Sequence, residues 1–279
     1  MVTTTLTIQD ILSYASNKSG KKLDWDAVLP YIILPILLLI ATISRLITII
    51  IMVVIGMGAL YVYSRPRQKN RSSFFFSWTM SSCVAMFLTF QIYTLSLWEV
   101  TLLENVILLL LLASTCYFFY KMKAVADFEL ATGTSKGKEY SPVLTADSHY
   151  CQICQIEVNE RFFHSIWWDC CVLRPNYMYF LAGQIFSFFT LLFGTYLNLT
   201  TVCQPFMFYG DVILLPEDCE NVYFTHDLAL IFVTSVYGIG YLFVTTLVLI
   251  RQLFIYIPKY CAKHFKGKVH YTPVNRQDV

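Results

Sequence analysis

Charge is what this chain has least of. Asp, Glu, Lys and Arg together make up 14% of its residues, where a soluble domain carries roughly a quarter. That deficit excludes an ordinary soluble globular fold. A separate basic domain is missing too. Lysines and arginines lie mostly beside apolar runs, so nothing in the pattern supports nucleic-acid binding. The runs GxxxxGKS/T, HExxH and GxSxG do not occur, which removes the phosphate-loop, zinc-protease and nucleophile-elbow readings. The opening stretch MVTTTLTIQDILSYASNKSGKKLDWD lacks the basic-then-apolar order of a secretory signal, and Val2 rather than Gly follows Met1. Targeting is therefore expected to fall to the first membrane span.

What is present is apolar. Hydrophobic residues are 57% of the chain, and they come in runs near the roughly 20 residues that cross a bilayer as a helix. The expected class is an all-α polytopic membrane protein: four core transmembrane helices, one or two extra N-terminal spans, and a small cytosolic zinc-finger-like insertion. A polar segment over 1–26 precedes a long apolar block over 27–63, interrupted at Ser44-Arg45. Read as one helix, the block buries Arg45 at mid-bilayer; read as two, it leaves Arg45 at an interface, where a charge is far less expensive. Basic flanks on both sides (Lys18, Lys21 and Lys22 before; Arg65, Arg67, Lys69 and Arg71 after) favour two.

A core pair is expected over 74–120, with spans at Phe74–Leu97 and Val106–Tyr120 joined by a turn containing Glu99 and Glu104. Residues 121–177 form a polar segment in which ATGTSKGKEYSPV reads as a flexible linker. A second core pair follows over 178–250, then a basic tail over 251–279 with Lys259, Lys263, Lys266 and Lys268. Counting Lys and Arg at the flanks places the 121–177 segment and the tail in the cytosol. The segment between the last two spans faces the other way. Its Cys203 and Cys219 are either a disulfide in an oxidising lumen or two free thiols. Asn198-Leu-Thr200 is a glycosylation sequon close to the membrane.

The chemistry concentrates in HYCQICQIEVNERFFHSIWWDCC, residues 149–171. Cys151-x-x-Cys154 has the spacing of a metal knuckle. On a reducing side of the membrane a metal explains it better than a disulfide. His164 and Cys171 complete a Cys3His set that suits tetrahedral, structural zinc, with Cys170 and His149 as alternative donors. Four ready ligands leave no open position for a catalytic water.

The same stretch resembles the cysteine-rich domain of DHHC-type protein S-acyltransferases, the integral-membrane palmitoyltransferases. Cys171-Val172 followed by Asn176-Tyr177 and Phe180 matches the tail of the family signature, and Trp167 falls where the family often has a Trp. The layout of two spans, finger and two spans agrees, over roughly Phe74 to Arg251. The interval from Cys154 to Ser165 is shorter than the family's. Where the signature has Asp, His, His and Cys, this chain has Phe162, Phe163, His164 and Ser165. The resemblance implies that the Asp, the first His and the nucleophilic Cys are replaced, while His164, a zinc ligand in the family, remains.

A serine hydroxyl needs an adjacent base to attack, and neither phenylalanine supplies one. The family's Asp-Pro-Gly and Thr-Thr-x-Glu motifs are absent as well; Asp127 and Thr272 stand alone, which puts docking of the finger in question. The resemblance therefore implies a weakly active or inactive homologue that acts by binding protein clients or related acyltransferases, with membrane lipid around it in an endomembrane or plasma membrane. One alternative is a working acyltransferase that takes an acyl group from acyl-CoA on Cys170. Another, from a different class, is a transporter or channel whose finger is structural.

Overall fold

The computed structural model describes residues 25–64, 69–136, 148–154, 156–159, 161–208 and 213–258. The long apolar runs form helices because a bilayer offers the backbone no other hydrogen-bond partners. Five helices are long and apolar enough to cross a membrane, and a shorter apolar helix precedes them. The protein is an all-α polytopic membrane protein with a small cysteine-rich insertion.

The first apolar block is two helices, α1 (Trp25–Ala41) and α2 (Arg45–Ser64). The break falls at residues 42–44. There the Thr42 hydroxyl donates to the Leu39 carbonyl at 2.7 Å, and the Ser44 hydroxyl accepts from the Ile47 amide at 3.4 Å. Arg45 thus opens a helix rather than sitting within one. At 17 residues, α1 extends about 25 Å, short of the roughly 30 Å hydrocarbon core. It is nonetheless well packed: Leu34, Leu38 and Ala41 are buried against Val233 and Tyr237. Helix α2 is the most apolar of the five long helices and the least buried. In a bilayer an outward apolar face meets lipid tails as apolar as itself, so it needs no protein cover. Thr48 anchors one end of α2, its hydroxyl 2.6 Å from both the Ala41 carbonyl and the Tyr223 hydroxyl.

Helix α3 (Lys69–Thr89) continues through a π turn at Phe90–Thr94 and a 3-10 turn at Leu95–Leu97. Helix α4 (Leu102–Lys136) has 35 residues, about 52 Å at 1.5 Å per residue. This corrects the sequence reading. The helix does not stop near Tyr120, and the ATGTSK part of the supposed linker is its last turns; residues 137–147 lie outside the described set. The excess length carries α4 past the bilayer alongside the insertion. Helices α5 (Tyr177–Val202) and α6 (His226–Arg251) complete the bundle, with α4 packed on α5, α5 on α6, and α1 on α3 and α6.

The insertion consists of two antiparallel hairpins: β1 (Ser148–Cys151) with β2 (Ile156–Asn159), and β3 (Arg161–Ser165) with β4 (Cys170–Leu173). A third hairpin, β5 (Gln204–Phe208) with β6 (Ile213–Asp218), lies between α5 and α6 at the opposite end of the bundle. There Cys203 and Cys219 are joined by a disulfide.

Candidate metal centre and the signature hairpin

In the second hairpin His164 pairs across from Cys171, and Ser165 from Cys170. The β1 end and the turn after it bring Cys151 and Cys154 to the same point. His164 Nδ1 lies 3.7, 3.5 and 3.6 Å from the sulfurs of Cys151, Cys154 and Cys171, and the Cys154 and Cys171 sulfurs are 3.5 Å apart. All four ligand atoms fall within 4.8 Å of one another. A tetrahedron built on zinc–sulfur bonds of about 2.3 Å and a zinc–nitrogen bond of about 2.0 Å has edges of roughly 3.5 to 3.8 Å. The donor set and its spacing therefore fit zinc.

The other ring nitrogen of His164 is held by the protein. Nε2 is 3.1 Å from the Ser72 hydroxyl and 3.6 Å from Asp169 Oδ1. The Ser72 hydroxyl also lies 3.4 Å from the Ile166 carbonyl. A partner on Nε2 fixes the tautomer that frees Nδ1 for a metal. Burial opposes charge on Asp169, but His164 and Ser72 outweigh it and hold the carboxyl below its usual value. Asp169 reaches His164 from a turn residue with φ 44°, a left-handed conformation that Asp tolerates better than most residues.

The sequence reading did not assign these supports. Asp169 adjoins Cys170 in the sequence and has no ligand spacing that would single it out. Ser72 is 92 positions from His164, on a different element, and carries no local signal. Asn176 was visible as part of the signature tail, without a role. It is fully buried; it accepts from the Leu173 amide at 2.7 Å and donates to the carbonyls of Cys171 at 3.0 Å and Met122 at 3.1 Å. One amide thus closes the end of β4 and ties it to α4. Docking of the finger, in question from the missing motifs, is carried by this bond, by Ser72, and by Phe75 against Trp167 at 4.8 Å.

The signature positions are apolar and filled. Phe162 packs on Tyr177 at 5.2 Å and edge-on to Tyr256 at 6.3 Å. Phe163 meets Tyr256 at 4.7 Å and Phe180 at 5.4 Å. Ser165 is 6% exposed and Cys170 is 3% exposed. Burial pushes the Cys170 thiol up to about 12; Lys123 pulls it down, but Asp127 and Asp169 push further up. The side chain of His149, the alternative donor, lies outside what the structure describes. Asn198 is corrected as a glycosylation candidate: it lies within α5, is 7% exposed, and accepts a 2.7 Å hydrogen bond from the Thr94 hydroxyl.

Beneath the hairpin, inside the bundle, is a cavity of about 130 Å³ bounded by α3, α4, α5 and α6, with Trp168 at its finger end and Gln91 and Asn198 at the other. Trp168 stacks on Phe119 at 3.7 Å. The cavity has hydroxyl residues but an apolar wall, because their protons are turned away. Thr79, Thr115, Thr190 and Thr234 bond the carbonyls of Phe75, Leu111, Phe186 and Leu230 at 2.7 to 2.9 Å.

Residues 138–264, which contain the metal centre, the signature hairpin and both helices after it, match the family model described as DHHC palmitoyltransferase. This match supports a divergent member of the DHHC type. It is 24% identical to palmitoyltransferase ZDHHC23 of Mus musculus, in an alignment covering 87% of this chain and 70% of the mouse protein. It is 23% identical to palmitoyltransferase ZDHHC23-B of Danio rerio, covering 83% of this chain and 66% of the fish protein. Over a shorter stretch, 38% of this chain, it is 28% identical to the human palmitoyltransferase ZDHHC23. No solved structure matches the chain. Against that family the chain keeps the Cys/His group that could hold a metal and departs at three of the four residues that name the family.

Proposed function

We propose that this protein is a DHHC-family homologue that acts by binding rather than by acyl transfer. It holds zinc on Cys151, Cys154, His164 and Cys171, and an apolar chain in the cavity below the finger. The packing of Phe162 and Phe163 among Tyr177, Phe180 and Tyr256 carries this reading. The places of the acid and base are occupied by rings in van der Waals contact, leaving no group there to take a proton from Ser165. An ester on serine would also be a poorer acyl donor to a thiol than a thioester. Cys170 is a weak substitute, because a thiol buried beside carboxylates yields little thiolate. Bound partners would be client proteins or active relatives. A cytosolic finger is supported by the opposite placement of the reduced Cys/His cluster and the Cys203–Cys219 disulfide, which suits an oxidising lumen.

The test is incubation of purified protein with labelled palmitoyl-CoA, beside an active family member. The expected result is no hydroxylamine-sensitive label on the parent or on Ser165→Cys, since that change restores the nucleophile without its base. Strong thioester labelling of the parent that Cys170→Ala abolishes would overturn the proposal in favour of transfer through Cys170.

A further inference from the structure

Helix α6 does not end regularly. It passes into a π turn, Gln252–Tyr256, in which the Ile257 amide bonds the Gln252 carbonyl five residues back. A cause lies just beyond. Pro258 has no N–H to give the Phe254 carbonyl, the bond an α register needs there, and a proline ring crowds that carbonyl. Single π turns are rare inside helices and recur at functional sites.

The turn aims two side chains inward. Gln252 is 2% exposed and Tyr256 8%, whereas Leu253 and Phe254 between them are 62% and 76% exposed. The Tyr256 ring covers the signature hairpin, 4.7 Å from Phe163 and 6.3 Å from Phe162. Arg251 fastens it there. Its Nη2 donates to the Tyr256 hydroxyl at 3.3 Å, and its guanidinium lies 5.6 Å from the ring centre. Positions five apart come together across a π turn, but in an α register they point about 140° apart. The Arg251–Tyr256 latch therefore belongs to the π register. One cost opposes it. Gln252 Oε1 is buried with no hydrogen-bond partner among the described residues, and an unmet buried acceptor is destabilising.

From this geometry we infer that the π turn is a register switch that covers and uncovers the signature hairpin, with Tyr256 as its lid. The structure is the closed register. In the open one the turn is α-helical, and the one-residue shift rotates Tyr256 off the hairpin. Arg251 then releases it, and water reaches Gln252. The ring contacts, the latch and Pro258 hold the lid closed. The unmet acceptor and the regular hydrogen-bond ladder favour opening. Such opposed small terms are what make an element bistable. The switch decides when an apolar segment of a protein partner can reach Phe162 and Phe163. It goes beyond the question of acyl transfer, since neither Ser165 nor Cys170 takes part in it.

The test uses the full chain in phosphatidylcholine nanodiscs and hydroxyl-radical footprinting, in which mass spectrometry reads the exposure of individual side chains. Pro258→Ala leaves Tyr256 in place and supplies the missing N–H. Oxidation of Phe162, Phe163 and Tyr256 is expected to quicken about tenfold, as a state populated at up to about 10% becomes the major one. Trp167, packed on Phe75 in the other cluster of the finger, should keep its rate. Gln252→Met keeps the side-chain length and removes the unmet acceptor. It is expected to slow oxidation of the same three residues below the parent's rate.

Zinc content and thermal unfolding identify a misfolded variant. Should Pro258→Ala be one, the opposite shift in Gln252→Met carries the test. Unchanged oxidation in a folded Pro258→Ala would overturn the switch. So would unchanged or faster oxidation in Gln252→Met, which would show that the amide holds the closed state rather than opposing it. An equal rise at Trp167 would overturn it too, as loosening of the whole finger.

Discussion

His164 presents Nδ1 to three cysteine sulfurs at 3.5 to 3.7 Å and Nε2 to Asp169 at 3.6 Å. Asp169 therefore bears on the metal site without being a ligand. Replacing such an outer carboxylate typically lowers metal affinity ten- to a hundredfold. Asp169→Asn keeps a residue that tolerates the left-handed turn and removes the charge. Zinc affinity measured by competition with a chromophoric chelator is expected to fall within that range. Unchanged affinity would show that Ser72 alone fixes the ring.

Asp169 also sets a pH expectation. Its carboxyl is held below its unfolded value, so the stabilisation it lends is fully present above the unfolded value, near about 4. That stabilisation is lost as pH falls through the lower, folded value. In Asp169→Asn this acid-sensitive component should be missing from unfolding followed by near-UV circular dichroism as the pH is lowered from 5.

Asn176 joins the Leu173 amide to the carbonyls of Cys171 and Met122 with no exposed surface. Asn176→Ala strands a buried amide, which costs about 1–3 kcal/mol. The melting temperature in detergent should drop, and a protease should cut the insertion sooner than the membrane helices. Uniform loosening of the whole bundle would argue against a specific role in docking.

Gly183 on α5 lets the Phe119 ring approach to within 2.9 Å of where a Cβ would lie, and Phe119 in turn supports Trp168 at the cavity end. Gly183→Ala should destabilise the protein by about 1–3 kcal/mol through overpacking, with altered tryptophan fluorescence reporting displacement of Trp168. Gly240→Ala, where a Cβ would meet nothing within 4 Å, is the matched control.

Cys170 should resist alkylation. With its thiol pushed up to about 12 and its side chain buried, Cys170 is expected to react with iodoacetamide at pH 8 far more slowly in the native protein than in protein unfolded by denaturant, as read by peptide mass spectrometry. Rapid modification of Cys170 would revive it as an acyl acceptor.

The membrane class was legible because apolar runs of bilayer length admit few other structures. The break at Ser44-Arg45 was legible because a mid-bilayer arginine is so unfavourable. The Cys/His group that could hold a metal was legible because Cys151, Cys154, His164 and Cys171 fall within 21 consecutive positions. The length of α4 was not. Lys121, Lys123 and Asp127 end its apolar pattern, but a helix leaving the bilayer continues when it has a partner to pack on, and composition cannot see that partner.

By itself, then, the sequence determined the order of the apolar runs, the Cys and His types of the candidate ligands, and that Phe162, Phe163 and Ser165 stand where the resembled signature has acid, base and thiol. Tertiary structure decided what replaced them and what holds the frame. Ser72 reaches His164 from another helix, Asn176 bonds an α4 carbonyl, and Phe162 and Phe163 find rings on α5 and in the turn after α6. Each is a contact between residues far apart in the chain. Local spacing encodes periodicity and turn chemistry, whereas such partners exist only once the helices have packed.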